Sequence, residues 1–201
     1  RCGLEKVDGD YQGWCVDFLR GLTSGPVKMA FDSKGRLWSA QVGRGWFSVG
    51  GKRTALQYAE WDGNTTPFAI HSTTLTKTGF EVNFTQPVGE KITPRVKSWH
   101  YHYYSTYGSP PVDETSQTVT NYKLSKDRKT VSFDVPLAEG KVYAIQFAGQ
   151  QSSASTKLDF DTIFYTLNTK RPAKELSTIH ISEPTRQAVI SYTLFCCNKH
   201  N

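Results

Sequence analysis

The chain has 201 residues, an apolar fraction of 37%, and ten Tyr, eleven Phe and five Trp, with a formal net charge of +6. That length can bury one β domain of ordinary size plus an extra layer without a structural metal, and an aromatic-rich composition suits sheet faces better than helices. The 24 basic residues are interspersed with 18 carboxylates rather than gathered in a run, which argues against nucleic-acid binding, and no apolar stretch of about eighteen residues exists to cross a membrane.

In chain order, the first signal is cysteine placement. Cys2, Cys15, Cys196 and Cys197 allow three pairings if all are oxidised. Cys2 with Cys15 is the expected bridge, because neighbouring cysteines such as Cys196 and Cys197 rarely reach disulfide geometry within one strand. No charged-then-apolar leader opens the chain, so no signal peptide is expected within it. From Gly25 to Trp46 an apolar alternation (Val27, Met29, Phe31), an Asp-Ser-Lys-Gly turn at 32–35 and a second strand (Leu37, Trp38, Ala40, Val42) predict a hairpin of the kind that fills one β-propeller blade. One blade cannot bury both its faces alone. A further strand is expected in 56–63, followed by the turn Asp62-Gly63-Asn64 and a boundary near Thr66-Pro67.

Beyond that boundary, strands are expected at 68–75, 80–85, 96–104, 118–124, 130–135, 141–147 and 160–167, joined by turn chemistry at 77–79, 125–128 and 138–140. Short strands at this spacing predict a β-sandwich. Val131, Phe133 and Val135 share one face, and Tyr143, Ile145 and Phe147 oppose Val142, Ala144 and Gln146. The 141–147 segment is apolar at most positions and is expected at the centre of its sheet. The fold class is therefore all-β, with three parts: propeller-blade-derived and linking strands in 1–66 packed against a sandwich, an Ig-like sandwich in 67–170, and a tail in 171–201 that can add an edge strand at 187–195.

The segments LEKVDGDYQGWC (4–15), RGWFSVGGK (44–52), LQYAEWDGNTTPFAIH (56–71), GFEVNFTQPV (79–88), YHYYSTYGSPPVD (101–113) and YTLN (165–168) carry a resemblance in order and spacing. Over about residues 3–170 the chain resembles the C-terminal part of large secreted bacterial proteins. In these, a β-propeller similar to soluble sugar and sorbosone dehydrogenases precedes an Ig-like domain. The resemblance implies an extracellular or periplasmic setting. The propeller that would hold a quinone and a catalytic base is absent apart from its last elements, and no CxxCH haem motif is present, so dehydrogenase activity does not carry over. The tail after Asn168 also departs from the family pattern.

Several residues have side chains suited to chemistry. His100 and His102, two apart on an expected strand, would share a face with Tyr104 and could hold a divalent metal if a carboxylate joined them. Hard-cation candidates are Asp32 in the hairpin turn, Asp62 and Asn64 in the boundary turn, and Asp159 with Asp161 around Phe160, although none has calcium-loop spacing and turns select the same residue types. No GxSxG elbow is present. Arg44, Trp46, Trp99, Tyr101 and Tyr107 lie where Gly, Pro and aromatics cluster, as either a ligand platform for sugar rings or an interdomain seam.

Two function classes follow. The first is a secreted, non-catalytic accessory module that binds a small-molecule or glycan ligand, with self-association through exposed strands. The second is a small hydrolase of a lactone or ester in which Ca2+ polarises the carbonyl and activates water. Calcium-dependent lactonases occur among propeller proteins, but a calcium site here would have to be built from the carboxylates just named.

Overall fold

The structure, a computed structural model, describes residues 1–43, 51–90, 92–102 and 108–172, together with the backbone of Phe195–Cys196. Its described elements are all strands: β1 (Cys2–Val7), β2 (Asp10–Val16), β3 (Gly25–Phe31), β4 (Leu37–Val42), β5 (Thr54–Trp61), β6 (Ile70–Leu75), β7 (Gly79–Phe84), β8 (Arg95–His100), β9 (Val112–Gln117), β10 (Thr120–Leu124), β11 (Thr130–Asp134), β12 (Lys141–Gln146), β13 (Thr162–Leu167) and β14 (Phe195–Cys196). Among the described residues no helix is long and apolar enough to cross a membrane. The described residues fall into two units, 1–17 with 68–172, and 18–67 with 195–196.

The larger unit is a β-sandwich. One antiparallel sheet has the order β1-β2-β13-β12-β8-β9 and the other β10-β11-β7-β6. As its alternation predicts, β12 is central: Tyr143 and Ile145 point inward, and the strand pairs with β13 on one side and β8 on the other. Phe80 of β7 joins the layers. Its ring lies 6.2 Å from Phe133 in its own sheet and 5.3 and 5.2 Å from Tyr143 and Tyr165 in the opposite one. Tyr143 satisfies its buried hydroxyl locally, accepting from the Ala138 N–H at 2.7 Å and donating to the Pro136 carbonyl at 3.1 Å. Burial pushes its phenol pKa up.

One boundary is corrected. Residues 1–17 do not belong with the blade-like strands; β2 pairs directly with β13, with Phe164 opposite Cys15 and Tyr165 opposite Trp14. Two causes operate. The β13 edge needs a partner, since buried backbone amides and carbonyls are costly when unpaired. The β1–β2 hairpin also turns polar side chains inward to a prepared set of partners. The Glu5 carboxylate accepts from the Tyr165 hydroxyl, from Leu75 N at 2.9 Å and from Arg171 Nη2 at 2.8 Å. Gln12 donates to Tyr165 Oη at 2.8 Å and accepts from the amides of Asn168 and Thr169, each at 2.9 Å. Burial, followed by the Glu5 contact, drives the Tyr165 pKa far upward, so the phenol stays protonated and donates. Gly13 is required by close approach: a Cβ there would lie 2.0 Å from the Gly3 carbonyl oxygen.

The smaller unit is the expected meander, β3-β4-β5, with the backbone of β14 along β5. The turn at 32–35 closes with Gly35 N donating to the Asp32 carbonyl at 3.0 Å, and Gly35 takes φ +77°. Leu37, Ser39, Gln57 and Ala59 share one face of the meander and line a small hollow together with Leu19, Leu22 and Met29. The outer strand β3 leaves Val27, Met29 and Phe31 exposed.

Candidate functional site

The outward face of the six-stranded sheet is less polar than a solvent-facing sheet surface usually is. Cross-strand register sets two rows on it. One runs Trp99, Val142, Thr166, Gly13, Leu4; the other runs Lys97, Ala144, Phe164, Cys15, Cys2. Trp99 is the anchor, only 6% exposed, with Tyr101 and Phe164 set nearly edge-on to it at 6.4 and 6.2 Å. Tyr101 and Phe164 remain 50% and 41% exposed. The Trp99 indole N–H is buried without a hydrogen-bond partner, although buried Trp N–H groups usually have one. The arrangement offers two open aromatic surfaces held in place by a fixed indole.

Of the ligand-binding candidates, Trp99 and Tyr101 are thus brought together, while Arg44, Trp46 and Tyr107 lie outside the described residues. Phe164 was not singled out from the sequence. The alternation in 160–167 carried the signal, since Ile163, Tyr165 and Leu167 point inward and leave Phe164 on the opposite face.

The metal candidates stay apart, and among the described residues no three His, Cys, Asp or Glu side chains are placed to hold an ion. The physical reason is local. Asp32 accepts from Trp38 Nε1 at 2.8 Å, Arg36 Nε at 2.7 Å and the amides of Lys34 and Arg36 at 2.8 and 3.1 Å. The indole donor and then Arg36 hold its carboxyl well below the usual range. Asp62 accepts from Thr65 Oγ1 at 2.5 Å and from the amides of Thr65 and Asn64, at 2.8 and 3.0 Å. Asn64 donates its side-chain amide to the Asp62 carbonyl at 3.2 Å. Asp161 takes the Thr162 hydroxyl at 2.8 Å, and Asp159 is exposed. Asp32 and Asp62 thus shape their own turns.

His100 and His102 do not share a strand face as expected. β8 ends at His100, and its pairing with β9 slips between Ser98 and His100. The rings nevertheless sit edge to face with centroids 5.3 Å apart, and His100 Nδ1 lies 3.8 Å from Asp113 Oδ2.

The turn carboxylates yield a pH prediction. Asp32, Asp62, Asp127 and Asp134 are all held below their ordinary 3.8, chiefly by side-chain donors. A depressed folded-state pKa contributes stability above the unfolded value and loses it as the pH falls through the folded one. Melting temperature is therefore expected to decline as the pH drops below about 3.8. Asp134→Asn should lower stability at neutral pH and make that acid descent shallower.

The cysteine pair is placed as a bridge requires. Cys2 and Cys15 are directly opposite in register, both exposed, with sulfurs 2.7 Å apart. Arg1 and Val16 exchange both backbone bonds at 2.8 Å, so the next pair, Cys2 and Cys15, is the non-hydrogen-bonded kind in which side chains come closest. Oxidation by a disulfide reagent such as glutathione disulfide is expected to remove two titratable thiols. It should raise stability by about 3 kcal/mol, the loop-closure value for a loop of this length. Thiol titration of the Cys196→Ala, Cys197→Ala double variant and melting with and without reductant check both effects; two thiols persisting in that variant would refute the bridge.

Comparison of the chain with protein-family models, with curated proteins and with solved structures returns no match in any of the three.

Proposed function

We propose that this chain is a non-catalytic accessory module of an exported enzyme and that it binds carbohydrate on the outer face of its six-stranded sheet. The observation that carries the reading is the Trp99-centred aromatic group, with Tyr101 just past the end of β8 and Phe164 on β13 both open to solvent. Sugar rings present apolar C–H faces that pack on aromatic rings, and two exposed rings around a fixed third give such a face a preorganised platform. The hydrolase reading gains no comparable support, because Asp32 and Asp62 spend their lone pairs on their own turns.

Titration of tryptophan fluorescence with soluble β-glucan, xylan and pectin tests the proposal. Saturable quenching is expected with at least one of them and no release of reducing ends. Tyr101→Ala and Phe164→Ala should each weaken binding by about three- to tenfold, the range of a lost aromatic contact. The absence of quenching with all three polysaccharides would overturn it.

A further inference from the structure

At one end of the sandwich the loops after β7, between β10 and β11, and between β12 and β13 line an open polar cleft of about 540 Å³. Its walls are tied together by backbone and guanidinium bonds. Gly89 N donates to the Gln151 carbonyl at 2.8 Å, Ser153 N to the Pro87 carbonyl at 2.8 Å and Val88 N to the Arg128 carbonyl at 2.9 Å. Arg128 adds two side-chain bonds, from Nε to the Val88 carbonyl at 2.9 Å and from Nη2 to the Gly89 carbonyl at 2.5 Å. Arg128 and Ser155 both hold left-handed backbone, at φ +59° and +62°. Non-glycine residues keep that conformation only where their surroundings enforce it.

The wall residues are bonded to one another, while three exposed polar side chains at the cleft face solvent. Gln150, 7% exposed, donates to the Gln151 carbonyl at 2.8 Å, and the Ser152 hydroxyl accepts from the amides of Ala154 and Thr156, at 3.2 and 3.1 Å. The Glu90 carboxylate and the Ser153 and Ser155 hydroxyls are exposed, and among the described residues no hydrogen bond or ion pair engages their side chains. A cleft of this size with one exposed carboxylate and two exposed hydroxyls offers hydrogen-bond partners suited to hydroxyl groups. Charge narrows the ligand. Glu90 disfavours an anion, and the Arg128 guanidinium on the same wall disfavours a cation. Among the described residues no aromatic ring lines the cleft, so those residues supply hydrogen bonds rather than stacking.

We infer that this cleft is a second carbohydrate subsite that takes a neutral sugar residue, with the Glu90 carboxylate accepting from a vicinal diol and Ser153 and Ser155 completing the contact. It extends the carbohydrate reading above but uses different residues. The test is an amide-resolved NMR titration of the intact chain with the methyl glycosides of glucose, galactose and mannose, each at concentrations reaching the millimolar range typical of weak sites. Saturable shifts are expected at Gly89, Gln151 and Ser153 with at least one glycoside. Glu90→Gln and Ser153→Ala should each weaken them by about five- to tenfold while leaving the remaining spectrum in place. No saturable shift at the cleft with any of the three, or shifts indifferent to both substitutions, would overturn the subsite. Shifts confined to residues around Tyr101 and Phe164 would likewise reject the cleft and leave the platform standing; shifts confined to the cleft would do the reverse.

Discussion

Replacing Phe80 with alanine is expected to destabilise the sandwich by about 3–5 kcal/mol, the range for truncating a fully buried aromatic side chain. Phe80 is wholly buried and touches rings from both sheets, at 6.2 Å to Phe133, 5.3 Å to Tyr143 and 5.2 Å to Tyr165. The cavity cannot close easily. Tyr143 is fixed through its hydroxyl to Pro136 and Ala138, and Tyr165 through its hydroxyl to Glu5 and Gln12. Rings pinned at their polar tips cannot swing into the space, so the cost should fall at the upper end of the range. Urea denaturation followed by near-ultraviolet circular dichroism measures the loss. Phe164→Ala, on the opposite face of β13 and 41% exposed, is the control and should cost less than about 1 kcal/mol. Equal losses for the two would mean that Phe80 is not the packing centre of the sandwich.

The second large effect is expected at Glu5. Its carboxylate gathers donors from three distant segments: the Tyr165 hydroxyl, the Leu75 amide and the Arg171 guanidinium. Truncation to alanine leaves all three groups to find new partners. The expected loss is about 1–3 kcal/mol, because the pair is only partly buried and three donors lose a charged acceptor together. Glu5→Gln keeps the shape and one acceptor oxygen, and should recover roughly half of it. The double variant Glu5→Ala with Arg171→Ala should lose less than the sum of the single changes, because each partner's orphaning is counted once. Additive losses would show that the two residues act independently.

The strands that the sequence revealed are those whose apolar residues alternate and whose ends carry turn chemistry. β4, β11, β12 and β13 are of this kind, and the Asp32–Gly35 turn announced the β3–β4 hairpin through a glycine that takes a positive φ. β1 and β2 were hidden because their inward side chains include Glu5 and Gln12, polar residues that no hydrophobic pattern assigns to a core. β9, with the sequence VDETSQ, is an exposed strand at the sheet edge and has no apolar face to detect. Among site residues, Trp99 and Tyr101 were visible as an aromatic cluster, whereas Phe164 joins them only through the pairing of β13 with β12 and of β12 with β8.

The amino-acid sequence by itself determined the all-β class, the sandwich strands from 68 onward apart from β9, and the β3–β4 hairpin, because each depends on local alternation or turn propensity. Tertiary structure alone decided which sheet the first 17 residues join, which carboxylates are already occupied, and which aromatics share a face. Those outcomes depend on cross-strand register and on hydrogen bonds between segments as far apart as Glu5 and Arg171, and neither is encoded in the spacing of neighbouring residues.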